Sequence, residues 1–192
     1  DWSSDVCSSD LFNTVSGTNN TAKGFNALVA VTTGGSNVAI GQSALLKNQS
    51  GSNNIAIGIL SLSEVVTSSN NTAIGINALR LATGGSNTAI GGSALGAATN
   101  TANNNTGIGL NALRAITSGG NNTAVGVSAG ATLDAGASNT LIGTEANVNT
   151  AGRNLCICLG RLATSPNLDG TLSIGSSSAS MSNLITTTAP TG

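Results

Sequence analysis

The residues that could carry chemistry are few, and the chain contains no histidine. Without histidine it lacks the commonest general base, the commonest partner of a serine or cysteine nucleophile and the commonest metal ligand. Beyond the first eleven residues only four carboxylates remain, and they are spread along the chain (Glu64, Asp134, Glu145 and Asp169). We expect these carboxylates to be solvated rather than paired for acid–base work. We therefore predict that the protein is not an enzyme and has no catalytic residue.

Two short motifs could bind a metal or a cofactor, but neither has the surroundings that such a site needs. Cys156 and Cys158 are two residues apart, so they share one face of a strand, yet no other ligand accompanies them. We expect small buried side chains there. Gly107 to Ala112 reads GIGLNA, which fits the G-x-G-x-x-A pattern, but no βαβ unit surrounds it. We predict neither a cofactor nor a metal site.

The composition argues against nucleic acid and membranes as partners. Six Lys and Arg residues in 192, with 2% aromatic residues, make a nucleic-acid-binding surface improbable. The sequence also lacks the run of about 18 apolar residues that a membrane span requires, so we expect no membrane insertion in this segment. At 39% hydrophobic residues, the chain is nevertheless too apolar for simple disorder.

The first eleven residues, DWSSDVCSSDL, share no pattern with the rest and resemble the translation of a sequencing-adapter oligonucleotide. We treat residues 1–11 as an artefact outside the fold, with Trp2 unpacked. Without them the chain has six basic and four acidic residues, hence a net charge of +2 instead of −1. We also expect residues 181–192 to be a truncated linker to a missing downstream region.

A repeat of about 17 residues organises everything between these ends. In most units an asparagine precedes a glycine by four residues, isoleucine or valine precedes the glycine by one, and leucine follows it by four. The glycine positions are Gly24, Gly41, Gly58, Gly75, Gly91, Gly109, Gly126, Gly143, Cys158 and Gly175. The structural repeat residues that define the unit best are Asn54, Ile57, Gly58, Asn71, Ile74, Gly75, Leu79, Asn87, Ile90, Gly91, Leu95, Asn105, Ile108, Gly109 and Leu113.

One repeat can be aligned in two ways. Cys158 in the glycine position keeps Asn154 and Leu162 in their own positions, and we prefer it for that reason. Gly160 is the alternative turn glycine.

The period predicts an all-β fold, a parallel β-solenoid of about ten coils over residues 12–180. Helical-hairpin repeats need 30 or more residues, whereas 17 residues accommodate two short strands and two turns. The segment NTAIG alternates, so Thr and Ile share one face while Asn, Ala and Gly share the other. We expect the Ile and Leu side chains to be buried, Ile57, Ile74 and Ile90 to stack in line, and the asparagines to form a hydrogen-bonded ladder.

Energetics predict an oligomer. One coil offers about two large apolar side chains, worth roughly 1.5–3 kcal/mol each, against a backbone ordering cost of about 1–2 kcal/mol per residue. Sharing a core among chains would restore the balance. We expect a strip of exposed small residues that includes Ala78, Ala94 and Ala112, or alternatively the Ile/Thr face.

The repeats NTAIGINAL (71–79), NTAIGGSAL (87–95) and NTGIGLNAL (105–113) resemble the head repeats of YadA-like trimeric autotransporter adhesins. Their longer spacing is similar to that of repeats in phage tail fibres. The resemblance spans about residues 13–180. It implies a left-handed β-roll, a homotrimer and an extracellular location on a virion tail fibre or a bacterial surface.

Three classes of function follow from these features. The first is a structural and adhesive fibre segment that presents repeated loops, such as Thr83–Ser86 and Thr117–Asn121, to a host receptor or glycan. The second is an ice-binding solenoid with a threonine ladder, which we disfavour because burying Ile would also bury Thr. The third, a glycan-processing enzyme, needs clustered carboxylates that the chain lacks.

Overall fold

The computed structural model describes residues 17–96, 99–148, 152–165 and 168–175. The predictions for residues 1–11, including Trp2, and for residues 181–192 lie outside these ranges. The described chain is all-β, and it forms a parallel β-solenoid of about nine turns. No helix occurs among the described residues, so none there is long and apolar enough to cross a membrane.

Within the described ranges, twelve short strands form two parallel sheets. Ten of them, one per coil, build one long sheet in the order β1-β2-β3-β4-β5-β6-β7-β8-β10-β12, and β9 pairs with β11 in the second. The strands are β1 Thr21–Lys23, β2 Val38–Ile40, β3 Ile55–Ile57, β4 Thr72–Ile74, β5 Thr88–Ile90, β6 Thr106–Ile108, β7 Thr123–Val125, β8 Thr140–Ile142, β9 Asn147–Val148, β10 Ile157–Leu159, β11 Thr164–Ser165 and β12 Leu172–Ile174.

The register of the long sheet repeats from coil to coil. Ile57 pairs with Ile74, and Ile74 pairs with Ile90, in parallel strands, which confirms the predicted stacking. Paired residues of neighbouring strands are separated along the sequence by as few as 15 positions, between β10 and β12, and by as many as 18 positions, between β5 and β6. Irregular spacings in the sequence are therefore absorbed outside the strands.

The inside and outside of the strands are the reverse of what we predicted. The middle residue of the three-residue strands, usually alanine, is buried in all but β12, whereas Thr and Ile on either side of it point outward. Ile74 and Ile90 are each 37% exposed, so the prediction of buried strand isoleucines is wrong. The interior of the coil is narrow, which explains why a small residue faces inward instead of isoleucine. Gly107 occupies a middle position, and a Cβ added there would lie 2.8 Å from the Leu95 side chain.

Leucine from the following turn fills the interior, as predicted. Leu28, Leu45, Leu62, Leu79, Leu95 and Leu113 are all fully buried. Each has a positive φ, between 47° and 51°, a conformation that costs a residue with a Cβ about 1–2 kcal/mol. Complete burial of a leucine contributes about 1.5–3 kcal/mol, which offsets that strain.

The small alanines before these leucines lie in the same interior. Ala78, Ala94 and Ala112 are each 0% exposed, so they cannot form the exposed strip that we predicted as one route to oligomerisation. Their neighbours in the turn leave no room for a larger residue, and the chain uses alanine there for packing within a single coil.

The ambiguous repeat follows the alternative alignment. Gly160 is the turn glycine, because its N–H donates to the Ile142 carbonyl as the glycines of earlier coils do to theirs, and it continues the stack above Gly143. Cys158 is instead a middle-strand residue that pairs with Leu141. Our preference for Cys158 as the turn residue is therefore wrong. Leu162 consequently lies two positions earlier in its turn than the buried leucines and is half-buried.

Candidate functional site

The asparagines that precede each strand form a continuous buried ladder. The Asn71 backbone N–H donates to Asn54 Oδ1 at 3.0 Å, and the Asn87 N–H donates to Asn71 Oδ1 at 3.0 Å. Each side-chain amide also donates to a carbonyl of the next coil, as Asn87 Nδ2 does to Ala102 O at 2.9 Å. One side chain therefore supplies both an acceptor and a donor between coils, and its chemistry is structural.

A second polar position, immediately before the ladder, was not singled out by the sequence reasoning. It is occupied by Asn or Ser, and once by Leu155, with φ near 60°, the left-handed conformation that Asn tolerates better than most residues. The signal was present as the recurrent Asn-Asn and Ser-Asn pairs. The residues at this position with positive φ are Asn19, Ser36, Asn53, Asn70, Ser86, Asn104, Asn121, Ser138 and Leu155.

The turn glycines are required by both conformation and space. Gly58, Gly75, Gly91 and Gly109 have φ between 132° and 135°, and each lies directly below the next glycine in the stack. A Cβ on Gly91 would lie 2.5 Å from the Gly109 carbonyl oxygen. These glycines permit the coils to approach closely and have no room for a ligand.

The two cysteines are buried and carry free thiols. The Cys156 backbone N–H donates to Asn139 Oδ1 at 2.8 Å, so Cys156 ends the asparagine ladder. The Cys158 thiol donates to the Asn147 carbonyl. Burial, aided by the nearby Cys156, raises the pKa of the Cys158 thiol to about 11. Within the described ranges no group of three or more metal-ligating side chains exists.

The carboxylates do not converge, but two of them are paired. Glu64 forms an exposed ion pair with Lys47 at 2.6 Å, and Asp169 lies 3.6 Å from Arg153. Both partners are cations, so neither ion pair brings two carboxylates together for acid–base work. Hydrogen bonds from Asn154, first from its backbone and then from its side chain, lower the pKa of the exposed Asp169 carboxyl.

An exposed apolar strip runs along the rod. It combines three positions of each coil: the first and third residues of the strand and the residue after the turn glycine. Of the large hydrophobic side chains in the described chain that are at least 36% exposed, all but Val66, Leu155 and Leu168 lie on it. The apolar strip consists of Phe25, Ile40, Ile55, Ile59, Ile74, Ile76, Ile90, Ile108, Leu110, Val127, Ile142, Ile157, Leu172 and Ile174.

Within the described chain, charged residues occur at strip positions only near the ends of the apolar strip. Lys23 in β1 and Arg161 after Gly160 are the charged residues at strip positions within the described chain. The Lys47–Glu64 ion pair and the exposed Arg80 and Arg114 lie five or six residues after a turn glycine, on another part of the coil. A long apolar surface without charge is typical of an interaction surface.

The threonine ladder lies on the same outward face. Thr72, Thr88 and Thr106 pair in register and are half-buried. The predicted contact loops are exposed only in part: Thr83 and Ser86 are exposed, whereas Gly84 between them is buried, and Gly119 is buried in the equivalent loop. The coil edge therefore alternates exposed polar side chains with buried glycines.

Comparisons with protein-family models, with curated proteins and with solved structures found no match.

Proposed function

We propose that this chain is a structural and adhesive segment of an extracellular homotrimeric fibre, such as a phage tail fibre or a bacterial surface adhesin. The observation that carries the proposal is the apolar strip, which continues from the first described coils to the last. The repeat resemblance to trimeric fibres supports the same conclusion. In this assembly the strip faces the other two chains, and the polar loops face outward for attachment.

The strip is large enough to hold chains together. A side chain such as Ile90, exposed by 37%, gains roughly 0.5–1 kcal/mol when its remaining surface is buried. Fourteen such side chains per chain amount to roughly 7–14 kcal/mol, comparable with the estimated cost of association of about 4–15 kcal/mol for lost freedom of motion. Association of this size is feasible but needs the whole length of the rod.

The arrangement of the strip favours three chains over two. Thr and Ile lie on the outward face of the sheet, whereas residues such as Ile76 and Leu110 follow the turn glycine and lie beyond that corner. One chain therefore offers apolar surface on both sides of a corner, and each side can contact a different neighbour. A closed ring of identical chains uses this kind of contact, in which two different patches meet.

The oligomeric state tests the proposal, with a matched pair of variants. Light scattering should give about 56 kDa, three times the 18.5 kDa of one chain. Ile74→Glu should dissociate or misfold the trimer because three buried carboxylates would lack partners. Val66→Glu is the control: Val66 is 38% exposed, close to the 37% of Ile74, but lies off the strip. A stable monomeric wild type would overturn the proposal.

Ice binding is the second candidate, and one observation favours it. We disfavoured ice binding because we expected the face shared by Thr and Ile to be buried. That face points outward, and its threonines lie in register from coil to coil: Thr72, Thr88, Thr106, Thr123 and Thr140. A monomer that leaves this face open could bind an ordered lattice of water. Thermal hysteresis that is lost in Thr106→Lys, together with a monomeric mass, would favour ice binding over the fibre.

A further inference from the structure

A groove opens where the cross-section of the solenoid changes. In the first six coils the fourth residue after the turn glycine is a buried leucine with positive φ, such as Leu113. The next three coils have Gly130, Asn147 and Thr164 at that position, and Asn147 and Thr164 belong to the short parallel strands β9 and β11. The change in backbone path leaves an open groove of about 450 Å³ on the surface.

The groove collects polar groups that have no partner in the described chain. Glu145, Ser128, Thr132 and Thr164 line it, and among the described residues none of their side chains makes a hydrogen bond or an ion pair. By contrast, the Thr117 hydroxyl on an ordinary coil donates to the Asp134 carbonyl of the next coil. The polar side chains of the groove are therefore available to a ligand.

The chemistry of the lining suits a sugar. The Glu145 carboxylate can accept two hydrogen bonds from neighbouring hydroxyls, and Asn147 keeps its amide N–H₂ group available because Val148 N–H bonds only its oxygen. Ala131 and Leu162 supply half-buried apolar surface for the carbon face of a ring. The volume of about 450 Å³ lies within the range of roughly 300–1,000 Å³ of small-molecule sites.

We propose that this groove is a saccharide-binding subsite, with Glu145 and Asn147 bonding the ring hydroxyls. The inference rests on the proposed attachment function and gives it a ligand class and a location. It also differs from the repeated-loop surface, because the groove lies on coils seven to nine, where Gly130, Asn147 and Thr164 take the place of the turn leucine. None of the lining residues belongs to the apolar strip, and three of them, Ser128, Glu145 and Leu162, directly follow strip positions.

Binding of the full chain to an immobilised panel of mono- to tetrasaccharides tests the subsite. Wild-type protein should bind at least one neutral saccharide of the panel, and Glu145→Gln should weaken that binding about tenfold or more by removing a charged acceptor. Glu64→Gln is the matched control, since it makes the same charge change at the other glutamate of the chain, outside the groove. It should bind as the wild type does.

A second variant separates a chemical effect from a steric one. Thr132→Trp places a large side chain at the exposed rim and should abolish binding, whereas Ala115→Trp does the same at the equivalent position of the preceding coil and should not. Absence of binding by the wild type, or equal losses in variants and controls, would overturn the subsite. Light scattering on the same samples keeps the fibre proposal separate: a trimer without saccharide binding would refute only the groove.

Discussion

Asparagine suits the ladder because it is a donor and an acceptor in one short side chain. Aspartate would supply acceptors only, and serine is too short to reach both the amide of one neighbour and the carbonyl of another. Asn87 shows both bonds at once, accepting from the Asn105 N–H at 2.9 Å and donating to the Ala102 carbonyl at 2.9 Å. A solenoid with short strands and a narrow core depends on such bonds, since each buried backbone group that loses its partner costs about 1–3 kcal/mol.

Replacing Asn87 with alanine should therefore destabilise the chain by roughly 2–6 kcal/mol, since it leaves the Asn105 N–H and the Ala102 carbonyl without partners. Urea unfolding of the two proteins measures the difference. Asn104→Gly is the matched control, because Asn104 is exposed and has a φ of 60° that glycine adopts freely. Equal losses in both variants would show that the ladder contributes no special stability.

Cys158 should be chemically inert in the folded protein. Its thiol is buried, and its pKa of about 11 lies above the ordinary value of 9.0, so almost none of the reactive thiolate exists at pH 8. In a Cys7→Ser background, a thiol reagent at pH 8 should modify neither remaining cysteine until urea is added, and then both. Rapid modification of the native protein would contradict the burial.

The raised pKa of Cys158 makes the stability of the folded protein depend on pH in the alkaline range. The unfolded chain would release the Cys158 proton near pH 9.0 and the folded chain near pH 11, so the folded state loses stability as the pH rises between these values. Cys158→Ala should remove that part of the alkaline decline. Unfolding midpoints of the two proteins at pH 8 and pH 10.5 measure it. A parallel decline in both proteins would assign the effect to other groups.

At the scale of the element, the large side chain that fills the core can come from the turn or from the strand, so these two positions exchange roles. The six coils with a turn leucine have alanine or glycine in the middle of the strand. The seventh coil has Gly130 in place of the turn leucine, and the strand of the next coil has Leu141 where the first seven coils have alanine or glycine. A Cβ on Gly130 would lie 2.7 Å from the Leu113 side chain and 2.9 Å from the Leu141 side chain, so these two leucines occupy the space beside Gly130.

The exchange predicts a compensating pair of substitutions. Leu141→Ala alone should cost about 2–5 kcal/mol, since it leaves a cavity in the core. Gly130→Leu alone should overpack the same space and cost about 1–3 kcal/mol. The double variant should recover much of both losses, because Gly130 already has the left-handed φ of the other turn leucines. A double-mutant cycle by urea unfolding measures the coupling, and additive losses would refute the exchange.

The same packing shows what the sequence could and could not predict. Alternation in NTAIG correctly placed Thr with Ile and Asn with Ala, because strand side chains alternate whatever surrounds them. It could not decide which of the two sets faces inward. Hydrophobicity alone favoured Ile, but the leucine from the turn already occupies the interior and leaves room only for alanine or glycine, as at Gly107.

The alignment at the cysteines failed for a related reason. Matching side-chain types kept Asn154 and Leu162 in familiar positions, whereas the backbone conformation of the turn selects a residue that tolerates positive φ. Gly160 has a φ of 120°, close to the turn glycines below it, and a cysteine at that position would be strained. The groove could not be predicted from the sequence, because it depends on the path of the backbone across three coils.

On the scale of the whole molecule, each coil contacts the coils on either side of it through the long sheet, the asparagine ladder and the leucine core. Stability in such an array is approximately a sum over coils and their interfaces. Coils should then be interchangeable wherever the register and the core positions agree. Ile57 and Ile74 occupy the same position of successive strands and are each followed by a glycine with φ near 130°.

This equivalence predicts that one whole coil can be removed. Deleting residues 58–74, which are 17 residues, joins Ile57 to Gly75 and restores the turn, the ladder and the leucine at their proper positions. The shortened chain should fold and assemble as the wild type does, with a rod about 4.7–4.9 Å shorter by small-angle scattering and a modestly lower unfolding midpoint. Deleting residues 58–66 is the control, because it joins Ile57 to Thr67 and removes the turn glycine, so this chain should misfold. If both deletions unfolded the protein, the coils would not be independent units, whereas survival of both would mean that the turn glycine and the register of the core do not determine the fold.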